Sequence, residues 1–413
     1  MSNVVLISPP EKQNLMEAGD RPAMSTLYLA GALRREGHRP IISDLNHDSY
    51  QDLNNKMKIA DYAGISTFTP YYQWTTNFAS HLKQNFPNVP LIAGGPHATT
   101  ATESLLPYFD HIVQGEGERA IVAIANGLED KVIDMGYEPE LDNLPIPFNE
   151  LELGKYGMNQ EGYKTITMTT SRSCNYNCVF CTKDILGKKQ RFHSVDRVVE
   201  EIKLAKKMGF NSVYFIDDNF TSDTERALHL TDEIKKLDIS YRVMSRTDKM
   251  TPELAYNLKD SGARSVSFGL EHFDDNVLKI ARKGETIETH LQGIRNAHDV
   301  GLKTRGSFII NLPGATKETT MKTLELAKQE NLTFADWYAL TAYPDSQIWN
   351  TPEKFGITVD KDYGFNQLSL VSNVDNGNFG KNNKELPDFI NEVRNDWAEF
   401  KGLKCAWEAE RYE

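Results

Sequence analysis

The sequence predicts an α/β protein made of two successive parallel-sheet regions, and three observations carry that prediction. Short runs of β-branched and aromatic residues alternate with helical stripes over residues 1–125 and again from residue 164 onward, which is how strand-helix units of parallel sheets read in a sequence. Between them, residues 137–156 centre on Leu144-Pro145-Ile146-Pro147-Phe148, where proline favours extended backbone and an ordered linker. The 413 residues, 39% hydrophobic and 25% charged, suffice for two or three domains with cores of their own.

In the first region, strands are expected at residues 4–7, 39–43, 62–66, 89–93 and 111–114, giving a five-stranded, doubly wound, Rossmann-like sheet. Its glycine-bearing loops, Gly94-Gly95-Pro96-His97 and Gly115-Glu116-Gly117-Glu118, follow strand carboxyl ends, where such sheets bind ligands. No GxGxxG follows the first strand, which argues against a dinucleotide.

In the second region, six strands are expected at 164–170, 212–217, 241–246, 264–270, 303–311 and 334–342. Val195, Val198, Val199 and Ile202 form a helical stripe after a Ser194 cap, and Ser222-x-x-Glu225 fits a capping box. Thr251 and Pro252 read as N-cap and first helical residue, with Gly262 as the stop. Six units rather than eight predict a partial (β/α)6 barrel with a lateral gap, its chemistry at the strand carboxyl ends. The asparagine-rich stretch 373–383 reads as a loop. Leu386, Phe389, Ile390, Val393, Trp397 and Phe400 make one amphipathic C-terminal helix. The expected domains are therefore 1–136, the linker 137–160, the barrel 161–350, and a C-terminal segment 351–413.

The N-terminal MSNVVLISPP has no basic n-region and reads as a strand rather than a signal peptide, and no run reaches membrane-spanning length. With four cysteines and no secretory leader, the expected location is the reducing cytoplasm. The net charge of −12 argues against a nucleic-acid footprint, which needs clustered Lys and Arg.

Three of the four cysteines, Cys174, Cys178 and Cys181, fall within the run SRSCNYNCVFCTKD. A [4Fe-4S] cluster normally takes four thiolates, so three leave one iron open for a small reactive ligand. The alternatives are a zinc knot, although His193 supplies no second hook, or closure by Cys405, which otherwise reads as a small buried hydrophobe.

The spacing Cys-x3-Cys-x2-Cys with Phe180 before the last cysteine resembles the signature of radical S-adenosylmethionine (radical SAM) enzymes. The glycine-bearing segments 64–67, 94–99 and 115–118, together with Leu312-Pro313-Gly314 and Tyr343-Pro344, extend the resemblance to the cobalamin-dependent branch over nearly the whole chain. That resemblance implies a [4Fe-4S] cluster on the three cysteines, SAM on the open iron, and cobalamin in the first domain. It places cobalamin among Ser66, Thr67, Gly94, Gly95, Gly115 and Glu116, with the loop holding Thr69 and Tyr71 beneath the corrin. The Asp-x-His-x-x-Gly segment of other cobalamin domains is missing, since Glu17-Ala18-Gly19-Asp20 stands in that neighbourhood. His97 and His47 remain as alternative cobalt ligands, and a degenerate domain without cofactor is a further alternative.

For SAM, Arg246 would pair with the carboxylate, unless it serves an ion pair with Asp248. Glu271 would meet ribose hydroxyls or the ammonium, and Asp217 and Asp218 resemble the paired acids of the branch or cap the following helix. Phe180 and the run 308–313, including Asn311 and Pro313, would flank adenine or fill the core. Tyr343, Asp345, Trp337 and Tyr338 fall on the expected substrate side. The resemblance implies a methyltransferase acting on an unactivated carbon of a small molecule, fed by an external one-electron donor such as flavodoxin or ferredoxin. A cyclase, ring contractase, dehydratase or hydroxylase is the nearest competitor, and a corrinoid or metal sensor is the non-enzymatic one. A tRNA methylthiotransferase would need cysteines before Cys174, and there are none.

Overall fold

Val4, Val5, Leu6 and Ile7 are almost wholly buried because they form a central strand whose two faces are both covered. The structure, a computed structural model, describes residues 1–10, 22–150, 152, 156, 158–160, 162–362 and 372–403. By its internal packing the chain divides into two units, the first spanning Met1–Met158 with Lys183–Gly209 and the second most of the remainder.

In the first unit, strands β1 (Asn3–Ser8), β2 (Arg39–Asp44), β3 (Tyr62–Ser66), β4 (Leu91–Gly94), β5 (His111–Gln114) and β6 (Val132–Asp134) pair in the order β2-β1-β3-β4-β5-β6, all parallel. Helices α1 (Met24–Arg35), α2 (Tyr50–Met57), α3 (Tyr72–Asn85), α4 (Pro96–Thr100), α5 (Thr102–Leu105) and α6 (Glu118–Ala125) lie between the strands in sequence. Val5 and Ile7 pack with α2 and α3 residues such as Met57 and Phe78. Val4 and Leu6 pack with Leu33 of α1 and Ile121 of α6. The period-2 alternation of β1 thus feeds two cores, one on each face, and the sheet is doubly wound with its switch point between β1 and β3. The sixth strand escaped the sequence reading because it is three residues long and buries only Ile133. The segment Lys183–Gly209 also groups with this unit; its helix α7 (Val195–Lys207) starts where expected, with Ser194 accepting from the Arg197 amide.

The second unit is built on β7 (Met158–Gln160), β8 (Tyr163–Met168), β9 (Ser212–Phe215), β10 (Ser240–Ser245), β11 (Ala263–Glu271), β12 (Lys303–Ile309) and β13 (Phe334–Tyr338). Their order, β13-β12-β11-β10-β9-β8-β7, follows the chain, and β8 through β13 are parallel. Sequential parallel pairing is the winding of a barrel, while β8 and β13 do not pair with each other, so the barrel stays partial. Helices α8 (Thr224–Lys235), α9 (Pro252–Asp260), α10 (Asp275–Ile280), α11 (Ile287–Asp299), α12 (Lys317–Gln329), α13 (Gln347–Asn350) and α14 (Leu386–Phe400) complete it. Thr251 caps α9 ahead of Pro252, and Gly262 has φ +105° with Ile239 O only 2.6 Å from where a Cβ would stand. The expected capping box on Ser222 is corrected. Asp223 is the N-cap of α8, accepting from the Arg226 amide, because the chain reaches helical geometry one residue later.

The C-terminal stripe buries Leu386, Phe389, Ile390, Val393 and Trp397, but Phe400, on the last helical turn, is largely exposed. Arg394 of α14 donates to the Trp337 carbonyl at 2.6 Å. The stretch expected as a loop does more than connect. Strand β14 (Thr358–Val359) pairs antiparallel with β15 (Val374–Asp375), the Asn373 side chain pairs with both backbone groups of Ala342, and Asn376 donates to the Leu312 and Ala315 carbonyls.

Candidate active site

At the carboxyl end of β8 the chain enters the cysteine loop, and its entry is fixed by Asp217. That carboxylate, fully buried at the end of β9, accepts from the Thr170 amide and hydroxyl at 3.0 and 2.9 Å and from the Ser171 hydroxyl at 2.5 Å. Arg226 holds the same residue by donating to the Thr170 carbonyl at 3.2 Å. Burial raises the Asp217 pKa even so, the hydrogen bonds opposing it. Asp218, next to it, is exposed, and desolvation raises its pKa as well. The two acids thus divide between clamping the loop and facing outward.

Ser173, buried and at φ +71°, turns the chain into Cys174. Cys174 and Cys178 are half-buried and Cys181 exposed, and none of the three is in a disulfide. Val179, which the sequence reading passed over, anchors the loop: it is wholly buried among Val277, Leu312, Leu340 and Ile348, with Phe180 packed against the same cluster. Its amide donates to the Ala281 carbonyl at 3.0 Å and its carbonyl accepts from the Ile348 amide at 3.2 Å. Among the described residues no three His, Cys, Asp or Glu side chains close around a single ion. A tetrahedral zinc would bring thiolates within roughly 4 Å of one another, whereas a cubane spreads them over separate irons. Three thiols in one loop suit three irons of a [4Fe-4S] cluster. Cys405 lies outside the described residues.

Around the loop sits a buried charge network, most of it missed in the sequence. Arg246, at the end of β10, contacts Asp248 at 3.0 Å and Glu285 at 3.2 Å, donates to the Lys283 carbonyl at 2.9 Å, and lies over the Tyr176 ring at 3.6 Å. The ion pair with Asp248 weighed against a SAM role is thus present. Glu271 ends β11 at φ +63°, where the register with β12 shifts, and takes Lys283 at 3.1 Å. Glu285 accepts from the Thr247 amide and hydroxyl at 2.9 and 2.5 Å. Tyr176, Lys283 and Glu285 carried no sequence signal beyond being polar residues in loops.

The barrel's other expected SAM residues separate into occupied and core positions. Asn311, fully buried, accepts from the Leu340 amide at 2.6 Å and donates to Val374 O at 3.1 Å. Phe308 stacks on Trp337 at 4.3 Å and is core. Pro313 is buried beside Leu312, and Tyr343 is half-buried with its pKa raised by desolvation.

In the first unit, the carboxyl edge of the sheet is lined as a ligand site would be. Ser66 is half-buried at the end of β3, and a Cβ on Gly94 would meet nothing within 4 Å. Gly95 and Gly115 have φ +98° and +70°, which side chains rarely adopt. Phe68, partly exposed, meets Tyr71 edge-on. Thr67, Thr69, His97 and Glu116 instead face inward. Thr67 donates to Gly94 O at 2.8 Å and accepts from Ala98 N, and Glu116 pairs with Arg191 at 2.8 Å. His97 bonds Thr69 through Nδ1 and Ser104 through Nε2, both at 3.0 Å, and burial lowers its pKa to about 4. Both ring nitrogens of His97 are thus engaged within the first unit. Glu17 to Asp20 lie outside the described residues.

Residues 168–327 match the model of the Radical SAM superfamily, and residues 18–125 that of the B12 binding domain. The chain is 31% identical over 378 residues to an uncharacterized methyltransferase of Pyrococcus horikoshii, covering 84% of this chain and 82% of that protein. It belongs to the cobalamin-dependent radical SAM enzymes. Like other members of that family, its cofactors are a [4Fe-4S] cluster, SAM and cobalamin. The anaerobic magnesium-protoporphyrin IX monomethyl ester cyclase of Rubrivivax gelatinosus is 26% identical over 80% of this chain and 66% of its own length. The fold matches the radical SAM methyltransferase TsrM of Kitasatospora setae, TM-score 0.70 at 16% identity, over 87% of this chain and 79% of that one. Among the described residues no helix is long and apolar enough to cross a membrane.

Proposed function

We propose that this enzyme methylates an unactivated carbon of a small-molecule substrate. The observation that carries the reading is the three-thiol loop at the carboxyl end of β8, in one chain with a doubly wound sheet whose carboxyl edge is lined by glycine. When bound, the cluster and SAM supply a 5'-deoxyadenosyl radical and cobalamin supplies the transferred methyl group; the hard chemistry belongs to these groups. On this reading Cys174, Cys178 and Cys181 hold three irons, and Asp217 with Arg226 keeps the loop in register. Glu271 and the outward-facing Asp218 offer carboxylates to the ribose or ammonium of SAM. Arg246, already tied to Asp248 and Glu285, supports the loop through Tyr176 and meets the SAM carboxylate only by giving up part of those pairs. Phe180 shields one side of the site. Ser66 and the backbone at Gly94, Gly95 and Gly115 receive the nucleotide tail of cobalamin, with Phe68 and Tyr71 beneath the corrin.

The methyltransferase name of the Pyrococcus relative supports methyl transfer. The cyclase name of the Rubrivivax relative favours a second reading, ring closure without methyl transfer. The experiment is anaerobic turnover with methyl-labelled SAM and candidate small molecules: label in the product together with 5'-deoxyadenosine supports methylation, and 5'-deoxyadenosine with unlabelled product overturns it. An external flavodoxin or ferredoxin in the cytoplasm would supply the electron.

A further inference from the structure

Residues Ala281 to Thr286 alternate buried and exposed, but with the polarity reversed: Lys283 and Glu285 point inward while Arg282 and Gly284 face solvent. Arg282 and Gly284 both have positive φ, +52° and +74°, so the backbone departs from the preferred region for a non-glycine residue to turn those charges inside. This turn also docks the cysteine loop, since Ala281 O receives the amide of Val179, the residue after Cys178. Inside it, the Lys283 ammonium lies 3.1 Å from Glu271 and 3.6 Å from Glu285. Gly269 leaves room for the pair, because a Cβ there would stand 2.7 Å from Glu271 Oε1 and 3.2 Å from Lys283 Nζ. Burial alone would lower the Lys283 pKa, yet Glu271 and Glu285 outweigh it and raise the value.

We infer that Lys283 is a positioning residue of the cluster site: it holds the Glu271 carboxylate in its left-handed conformation and supplies a buried positive charge on the turn that receives the Val179 amide of the cysteine loop, and this charge sets the ease of cluster reduction. A fixed cation favours the reduced cluster, which is one charge more negative, and a fixed carboxylate disfavours it. Lys283 and Glu271 therefore act on the cluster with opposite signs. The inference rests on the cluster being held by Cys174, Cys178 and Cys181, as proposed above.

The test reconstitutes the full chain anaerobically with iron and sulfide, counts iron, and follows the reduced-cluster EPR signal in a dithionite potentiometric titration. The set is wild type, Lys283→Arg, Lys283→Met, Glu271→Gln and the double variant Lys283→Met with Glu271→Gln. One unit charge at roughly 10 Å in an effective dielectric of about 20 changes the reduction equilibrium on the order of tenfold. Lys283→Met is expected to make reduction harder by about that factor, Glu271→Gln to make it easier, and Lys283→Arg and the double variant to stay near wild type. Should Lys283→Met fail to hold iron, the Glu271→Gln shift and the double variant still read the sign. Unchanged potentials in variants that carry the full cluster, or shifts of the same sign for Lys283→Met and Glu271→Gln, overturn the inference. A wild-type chain that takes up no four-iron cluster overturns the functional reading itself, a result visible before any variant is compared.

Discussion

The Arg246 guanidinium lies over the Tyr176 ring, 3.6 Å from its centroid, and so links a barrel strand end to the middle of the cysteine loop. Tyr176 stands between Cys174 and Cys178, and Arg246 is itself tied to Asp248, Glu285 and the Lys283 carbonyl. Tyr176→Leu removes the cation-aromatic contact, which at a partly buried site contributes about 0.5–2 kcal/mol. Iron retained per chain after gel filtration is expected to fall while the unfolding midpoint drops by only a few degrees. Arg246→Ala, which leaves the buried Glu285 carboxylate with Lys283 as its remaining cation, is expected to cost less than the roughly 3–5 kcal/mol of a fully unpaired buried charge, read as a lower midpoint in chemical denaturation.

Adjacent acids are expected to part company on substitution. Asp217→Asn weakens three hydrogen bonds to Thr170 and Ser171, and a buried donor left without its charged acceptor costs about 1–3 kcal/mol. Lower thermal stability and slower cluster uptake would register it. Asp218→Asn leaves stability within about 0.5 kcal/mol, as an exposed substitution does, but raises the Kd for SAM in equilibrium binding. Equal stability losses in both variants would sink this division.

Gly95→Ala places a Cβ 3.1 Å from Thr67 O at φ +98°. Such strain costs on the order of 1–3 kcal/mol, and the displaced backbone is that of the expected cobalamin edge. Corrinoid absorbance per chain after reconstitution is expected to fall well below that of wild type, with the cluster absorbance unchanged.

His97 gives the first unit a pH dependence of defined sign. Its folded pKa of about 4 lies below the unfolded value near 6.5, so between these values the unfolded chain binds more protons and stability falls as pH falls. The contribution is complete above about pH 6.5 and lost by about pH 4, amounting to roughly 3 kcal/mol. Urea midpoints measured across that window should fall more steeply for wild type than for His97→Gln.

How far the sequence carried this picture depended on the distance over which each signal acts. Strands, caps such as Ser194 and Thr251, and the cysteine spacing are local, and they were legible. The residues around the cluster loop were not, because Lys283, Glu285 and Tyr176 acquire meaning only when β10, β11 and the turn after α10 come together. Asn311 shows the converse: its place in a run beside Leu312-Pro313-Gly314 pointed to adenine, while the fold engages its amide with Leu340 and Val374. Ser222 and Asp223 mark the ordinary limit of cap reading, one residue, where two hydroxyl- or carboxylate-bearing neighbours compete for the same helix start.

The asparagines at 373 and 376 have a consequence for how the chain is made. The Ala315 carbonyl and both backbone groups of Ala342 pair with side chains some thirty or more residues downstream, the Leu312 carbonyl adds Asn376 to the Ala315 amide it already accepts from, and buried polar backbone is costly until it is paired. During synthesis, the carboxyl edge formed by β12 and β13 therefore waits unfinished until residue 376 has left the ribosome. Nascent chains halted near residue 350 should accordingly stay open to protease at that edge, whereas chains released beyond residue 403 should resist it.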